Sequence, residues 1–196
     1  MSLWKQHKSA DISHAPESIR LDLNAGYDVT CSRFFAGLCM DNDKLKYWLA
    51  LKSIPGVGNS AFPALLNCFG SPQNVFSASP AQLHNVKAIT KKTAADIAGF
   101  KKWDYIEKSL EFLENAGMQI ITYQDEFYPA KLLEIDDRPP LIYACGTLKK
   151  TDLNISIVGS RLASTYGQYT TGRIARELAL RGMTVVSGLA RGIDSA

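Results

Sequence analysis

The chain has 196 residues, with 22 Lys and Arg against 19 Asp and Glu, for a net charge of +3 with histidine neutral. Its 46% hydrophobic and 21% charged residues suit one or two packed domains and exclude collagen-like, low-complexity and wholly disordered readings. No run approaches the roughly 18 consecutive apolar residues of a membrane span, and no apolar leader opens the chain, so a cytoplasmic protein with no membrane partner is expected.

Residues 1–40 show no sustained helical or strand period and read as a poorly ordered tail, with Met40 a natural alternative start. A small helical domain is expected over 41–117. Its first helix spans 44–53, with Leu45, Trp48 and Leu49 on related faces, and stops before Pro55-Gly56-Val57-Gly58. A second helix follows Asn59-Ser60, accepts Pro63 in its first turn and ends at Gly70. Ser71-Pro72 and Ser79-Pro80 each pair a capping hydroxyl with a proline suited to the first helical turn, and Thr90 caps a helix over 91–100. The last helix runs from Trp103 to Ala116 and closes at Gly117.

After Gly117 the period becomes strand-like, and 118–196 is expected to form an α/β domain. Strands are predicted at 118–123 and 141–144, with a helical turn after Tyr128-Pro129. The strand Ile155–Val158, expected to be buried, the helix Tyr166–Arg181 and the strand Thr184–Ser187 then make one βαβ unit. One such unit cannot close a doubly wound sheet, so the chain reads as a fragment.

Four cysteines, at 31, 39, 68 and 145, lack metal-ligand spacing and read as reduced thiols. Cys68 and Cys145 have apolar neighbours and are expected to be buried. His7, His14 and His84 are scattered, and no carboxylates pair at a strand end, so neither a catalytic set nor a metal or cofactor is expected.

Three features bear on binding. The turn Ile54–Gly58 has the form of a helix-hairpin-helix, whose Gly56 and Gly58 could bring backbone amides to a phosphate, or could simply make a tight interhelical turn. No Lys or Arg lies between Lys52 and Lys87, so its contribution to DNA contact is expected to be weak. Lys87, Lys91, Lys92, Lys101 and Lys102 form a basic run read chiefly as a solvated face, with phosphate attraction left open.

The third is the pair of loops that end the parallel strands. Gly159-Ser160-Arg161 and Ser187-Gly188-Leu189-Ala190-Arg191-Gly192 should lie side by side at the strand ends, where α/β sheets bind ligands. The glycine spacing breaks the dinucleotide fingerprint and no acidic residue ends the second strand, which argues against NAD. Arg161 and Arg191 offer planar donors to phosphate; a structural ion pair of Arg161 with Asp194 is the competing reading, and Asp194 is also a candidate cap for a following helix.

These residues carry a resemblance. With Ile157–Arg161, Tyr166-Gly167, Ser187–Asp194 and the connector residues Tyr128-Pro129, Leu132, Pro139–Leu141, Tyr143 and Gly146, the chain from about 44 to 196 resembles the DNA-processing protein A (DprA/Smf) family. The fold class this implies is α/β: a small all-α, helix-hairpin-helix or SAM-like domain followed by the first part of a Rossmann-like doubly wound domain, truncated. The resemblance implies a single-stranded-DNA-binding protein of natural transformation and recombination. Such a protein protects incoming strands, helps load the RecA recombinase and dimerises in its full-length form. Gly159, Ser160, Arg161, Ser187, Gly188, Arg191 and Gly192 are the residues expected at the phosphates, with Gly56 and Gly58 as weak further contacts.

Two other classes are weighed against it. Nucleotide phosphoribohydrolases of the lysine-decarboxylase-like family share a Rossmann-like sheet, but the helical hairpin domain and the Gly-Ser-Arg loop argue against them. In a purely protein-binding adaptor the glycine loops would be turns only.

Overall fold

The computed structural model describes residues 42–146, 148 and 153–196; the tail expected at 1–40 lies outside the described residues. The chain divides into two compact units, Met1–Leu148 and Lys149–Ala196.

The first unit carries six helices in succession: α1 (Asn42–Ser53), α2 (Ala61–Phe69), α3 (Pro72–Ser77), α4 (Pro80–His84), α5 (Lys91–Ala98) and α6 (Trp103–Asn115). Their boundaries follow from local chemistry. Ser71 Oγ accepts the Asn74 N–H at 3.2 Å, Thr90 Oγ1 accepts the Thr93 N–H at 3.1 Å, and Ser79 and Gln82 cap each other reciprocally. Gly70 adopts φ +80° and ends α2. Helix α5 stops two residues short of the predicted Phe100. That ring turns instead onto Trp103 and Phe76, at centroid distances of 5.0 and 5.5 Å, so aromatic packing wins over helix propagation.

Leu51, Phe62, Leu65, Leu83, Ile97 and Leu113 are fully buried at the centre of this unit, with Trp48 stacked on Phe62 at 5.1 Å. Strands β1 (Met118–Thr122) and β2 (Leu141–Cys145), separated by the short helix α7 (Ala130–Leu133), pair antiparallel from Met118 opposite Cys145 to Thr122 opposite Leu141. Leu141 belongs to the helical core, and Met118, Ile120 and Tyr143 pack against it. The strand pair therefore sits with the helices, and the division between compact units falls after Leu148, where the sequence suggested Gly117.

Both cysteine thiols expected inside this unit are exposed. Cys68 lies in the last turn of α2, three residues after the buried Leu65, and is exposed at that helix end, and Cys145 is the exposed last residue of its strand.

The second unit is one βαβ element. Strands β3 (Asn154–Ser156) and β4 (Thr184–Val186) pair in parallel, Ile155 opposite Val185, connected by α8 (Thr165–Leu180), whose N-cap Ser164 accepts the Gly167 N–H at 3.1 Å. All of β3 is exposed, against the expectation of a buried strand. A single helix can cover only one face of a two-stranded sheet, and Val158, Leu162, Tyr166 and Tyr169 likewise remain open. The chain is thus mixed α/β: a helical part followed by two small sheets, one antiparallel and one parallel.

Candidate functional site

Parallel pairing of β3 with β4 brings the two glycine loops to one sheet edge. The Ile157 N–H donates to the Val186 carbonyl at 3.0 Å, and beyond it the Ile193 N–H donates to the Ser160 carbonyl at 3.1 Å. Gly192, at φ +103°, lies so close to Ser160 and Arg161 that any Cβ would run into their backbone. The side chain of Ile193 fills the space beside Gly159, where a Cβ would meet it at 2.7 Å. These glycines serve to press one loop against the other.

Asp194 ties the pair together. Its Oδ1 accepts the Gly159 N–H at 3.1 Å, its carbonyl accepts from Ser187 Oγ at 2.6 Å, and its Oδ2 lies 3.0 Å from where a Gly188 Cβ would stand. Asp194 sits inside a 3-10 turn, Ile193–Ser195, and its carboxylate spans the two loops. Its role escapes a sequence reading because Gly159 is remote along the chain. The signal available was the absence of any other acidic residue in either loop.

The remaining polar groups are partly committed. Ser160 Oγ accepts the Leu162 N–H at 3.1 Å, and Ser187 Oγ accepts the Leu189 N–H at 3.2 Å, which helps to hold Leu189 at φ +51°. Arg161 and Arg191 are exposed, and among the described residues neither forms an ion pair. The competing Arg161–Asp194 pair is not formed. The loops thus present two guanidinium groups on a backbone scaffold whose nearby carboxylate is engaged with an amide.

The first hairpin is arranged differently. Gly56, at φ +91°, faces α5, and a Cβ there would stand 2.6 Å from Thr93 Oγ1. Val57 is buried, and the Gly58 carbonyl accepts the Phe62 N–H at 3.0 Å. Asn59 receives the Lys52 ammonium at 2.9 Å and donates to the Asp137 carbonyl at 3.1 Å. This turn is fitted to its own unit. Among the described residues no group of three His, Cys, Asp or Glu could hold a metal ion, and no helix is long and apolar enough to cross a membrane.

Residues 119–196 match the family described as DNA recombination-mediator protein A. The chain is 32% identical over 161 residues to Protein Smf of Synechocystis sp., a match covering 80% of this chain and 40% of that protein. It is 36% identical over 80 residues to DNA processing protein DprA of Bacillus subtilis, covering 40% of this chain and 27% of that one. Among solved structures, it is similar to DNA processing protein A from Streptococcus pneumoniae at 25% identity and a TM-score of 0.44, covering 81% of this chain and 52% of that one. The chain spans less than half the length of the curated relatives it matches.

Proposed function

The chain belongs to the DprA/Smf family of DNA-processing proteins, and from that premise we propose that it is part of a single-stranded-DNA-binding protein of natural transformation and recombination. In this reading the full-length protein is cytoplasmic and dimeric, shields an incoming strand and passes it to the RecA recombinase. It binds without a catalytic step, cofactor or metal. The observation that carries the reading is the pair of exposed guanidinium groups, Arg161 and Arg191, on loops locked together at the ends of parallel strands. Arg161 and Arg191 reach the phosphates. Gly159, Ser160, Ser187, Gly188 and Gly192 set the loop shape that presents them, while Gly56 and Gly58 contribute little.

A guanidinium can give two parallel hydrogen bonds to one phosphate, which an ammonium cannot copy. Arg161→Ala in the full-length protein is therefore expected to cost about 1–3 kcal/mol of single-strand affinity and to flatten the salt dependence by about one unit, with the melting temperature unchanged. Arg161→Lys should recover part of the loss. Titration of a labelled oligothymidine at several salt concentrations, beside a thermal melt of each variant, reads both quantities. Retained affinity with a melting point several degrees lower would make Arg161 a structural residue and overturn the proposal.

A further inference from the structure

The helical unit contains one hairpin twice. In the first, the Ile54 N–H donates to Leu51 O at 3.3 Å, Val57 N–H to Ile54 O at 3.1 Å and Phe62 N–H to Gly58 O at 3.0 Å. In the second, Val86 donates to Leu83 at 3.1 Å, Ile89 to Val86 at 3.0 Å and Ala94 to Thr90 at 2.9 Å, at the same relative positions. Gly56 and Ala88 correspond, and both adopt φ +91°. The buried anchors correspond as well: Leu51 with Leu83, Val57 with Ile89, and Leu65 with Ile97. The two turns share a backbone and differ in what they show to solvent.

In this register Pro55, Asn59 and Ser60 of the first turn align with Lys87, Lys91 and Lys92 of the second. The first turn has spent its polar group, since Asn59 joins Lys52 to the Asp137 carbonyl, and Gly56 is packed against Thr93. The three lysines of the second are exposed, and among the described residues none forms an ion pair. The segment 53–95 contains no Asp or Glu; Asp96, one turn beyond Lys92 on α5, is the nearest carboxylate along the chain, and no ion pair to it is formed among the described residues. More carboxylates lie on α6, at Asp104, Glu107, Glu111 and Glu114, beside a single Lys108.

We infer that the α4–α5 hairpin, through Lys87, Lys91 and Lys92, is a second nucleic-acid contact of this protein, and that the glycine-bearing α1–α2 hairpin is its structural counterpart. The inference rests on the reading of nucleic acid as the partner. Ammonium groups act as point charges on phosphate, so the ligand class is the sugar–phosphate backbone, read without regard to sequence.

The test uses the 196-residue chain and a fluorescently labelled oligothymidine. Lys87→Gln/Lys91→Gln/Lys92→Gln is compared with Lys44→Gln/Lys108→Gln/Lys131→Gln, which removes the same charge from exposed lysines elsewhere in the unit. The hairpin variant should lose affinity about tenfold at low salt and its salt slope should fall by about two, while the control changes much less. Both should keep the wild-type melting temperature. Equal losses in the two variants would mean that net charge alone is sensed and would overturn the inference. So would wild-type affinity in the hairpin variant; if Arg161→Ala still weakened binding, the loop reading would stand alone. A wild-type chain that fails to bind the oligonucleotide at low salt would overturn the inference for the hairpin, while the loop reading is decided in the full-length protein by Arg161→Ala.

Discussion

The carboxylate of Asp194 accepts a hydrogen bond from the Gly159 amide at 3.1 Å, and this contact fastens the end of β3 to the turn beyond β4. An amide at the end of a strand, just before a helix, is an attractive position for an anion. Here the protein supplies its own. The contact trades an amide donor for loop rigidity and places a negative charge at the loops that carry Arg161 and Arg191.

Two substitutions at this position separate rigidity from charge. Asp194→Ala removes the acceptor and should lower stability by about 1 kcal/mol, the worth of one hydrogen bond at a partly exposed site. Asp194→Asn keeps an oxygen facing Gly159 but removes the charge, so it should melt near the wild-type temperature and bind oligonucleotide several-fold more tightly at low salt. Calorimetry and anisotropy titration decide; weaker binding by the Asn variant would mean that the carboxylate is not a repulsive element of the site.

The matched hairpins predict opposite signs for one exchange. Gly56→Ala places a methyl group at φ +91° against Thr93 Oγ1 and should cost about 2–4 kcal/mol, from the left-handed backbone and overpacking together. Ala88→Gly relieves the same backbone conformation at the equivalent position. It should stabilise by up to about 1 kcal/mol, the relief of roughly 1–2 kcal/mol being offset by the greater freedom of glycine in the unfolded chain. Urea unfolding of the two variants should move the midpoint in opposite directions. A destabilised Ala88→Gly variant would contradict the equivalence of the two turns.

What the sequence made legible was local. Ser71, Ser79 and Thr90 each cap a helix through an interaction completed within three residues, so their positions could be read directly. The βαβ order and the meeting of the two loops were equally legible, because parallel pairing leaves them no other edge. Long-range contacts were not. Gly56 was open to two readings, a weak phosphate contact or a tight interhelical turn, and its close approach to Thr93 on a later helix could not be read from either. The contact of Asp194 with Gly159 joins two loops far apart along the chain, beyond the reach of a local pattern. Apolar neighbours in sequence suggested burial of β3 and Cys68, yet burial is set by what packs over a residue in space, and both are exposed.

Alkaline pH tests the connector between β1 and β2. The Tyr128 hydroxyl donates to the Pro139 carbonyl at 2.7 Å, and its ring is buried beside Ile121 and Ala144. Burial raises the phenol above its ordinary value near 10, with Arg138 opposing the shift; Tyr123 is raised in the same way. A phenol held protonated more firmly in the folded chain than in the unfolded one contributes its full stability below the unfolded value. That contribution is lost as pH rises through the folded value. Tyr128→Phe keeps the ring but deletes the hydrogen bond, so at pH near 8 it should be about 1 kcal/mol less stable than wild type. Above about pH 10 the unfolded wild type alone gains free energy by ionising this phenol, which burial resists in the fold, and the gap should close. Urea melts of both proteins over that range check the sign; a deficit that stays constant or widens with pH would show that the Tyr128 proton is not held by the fold.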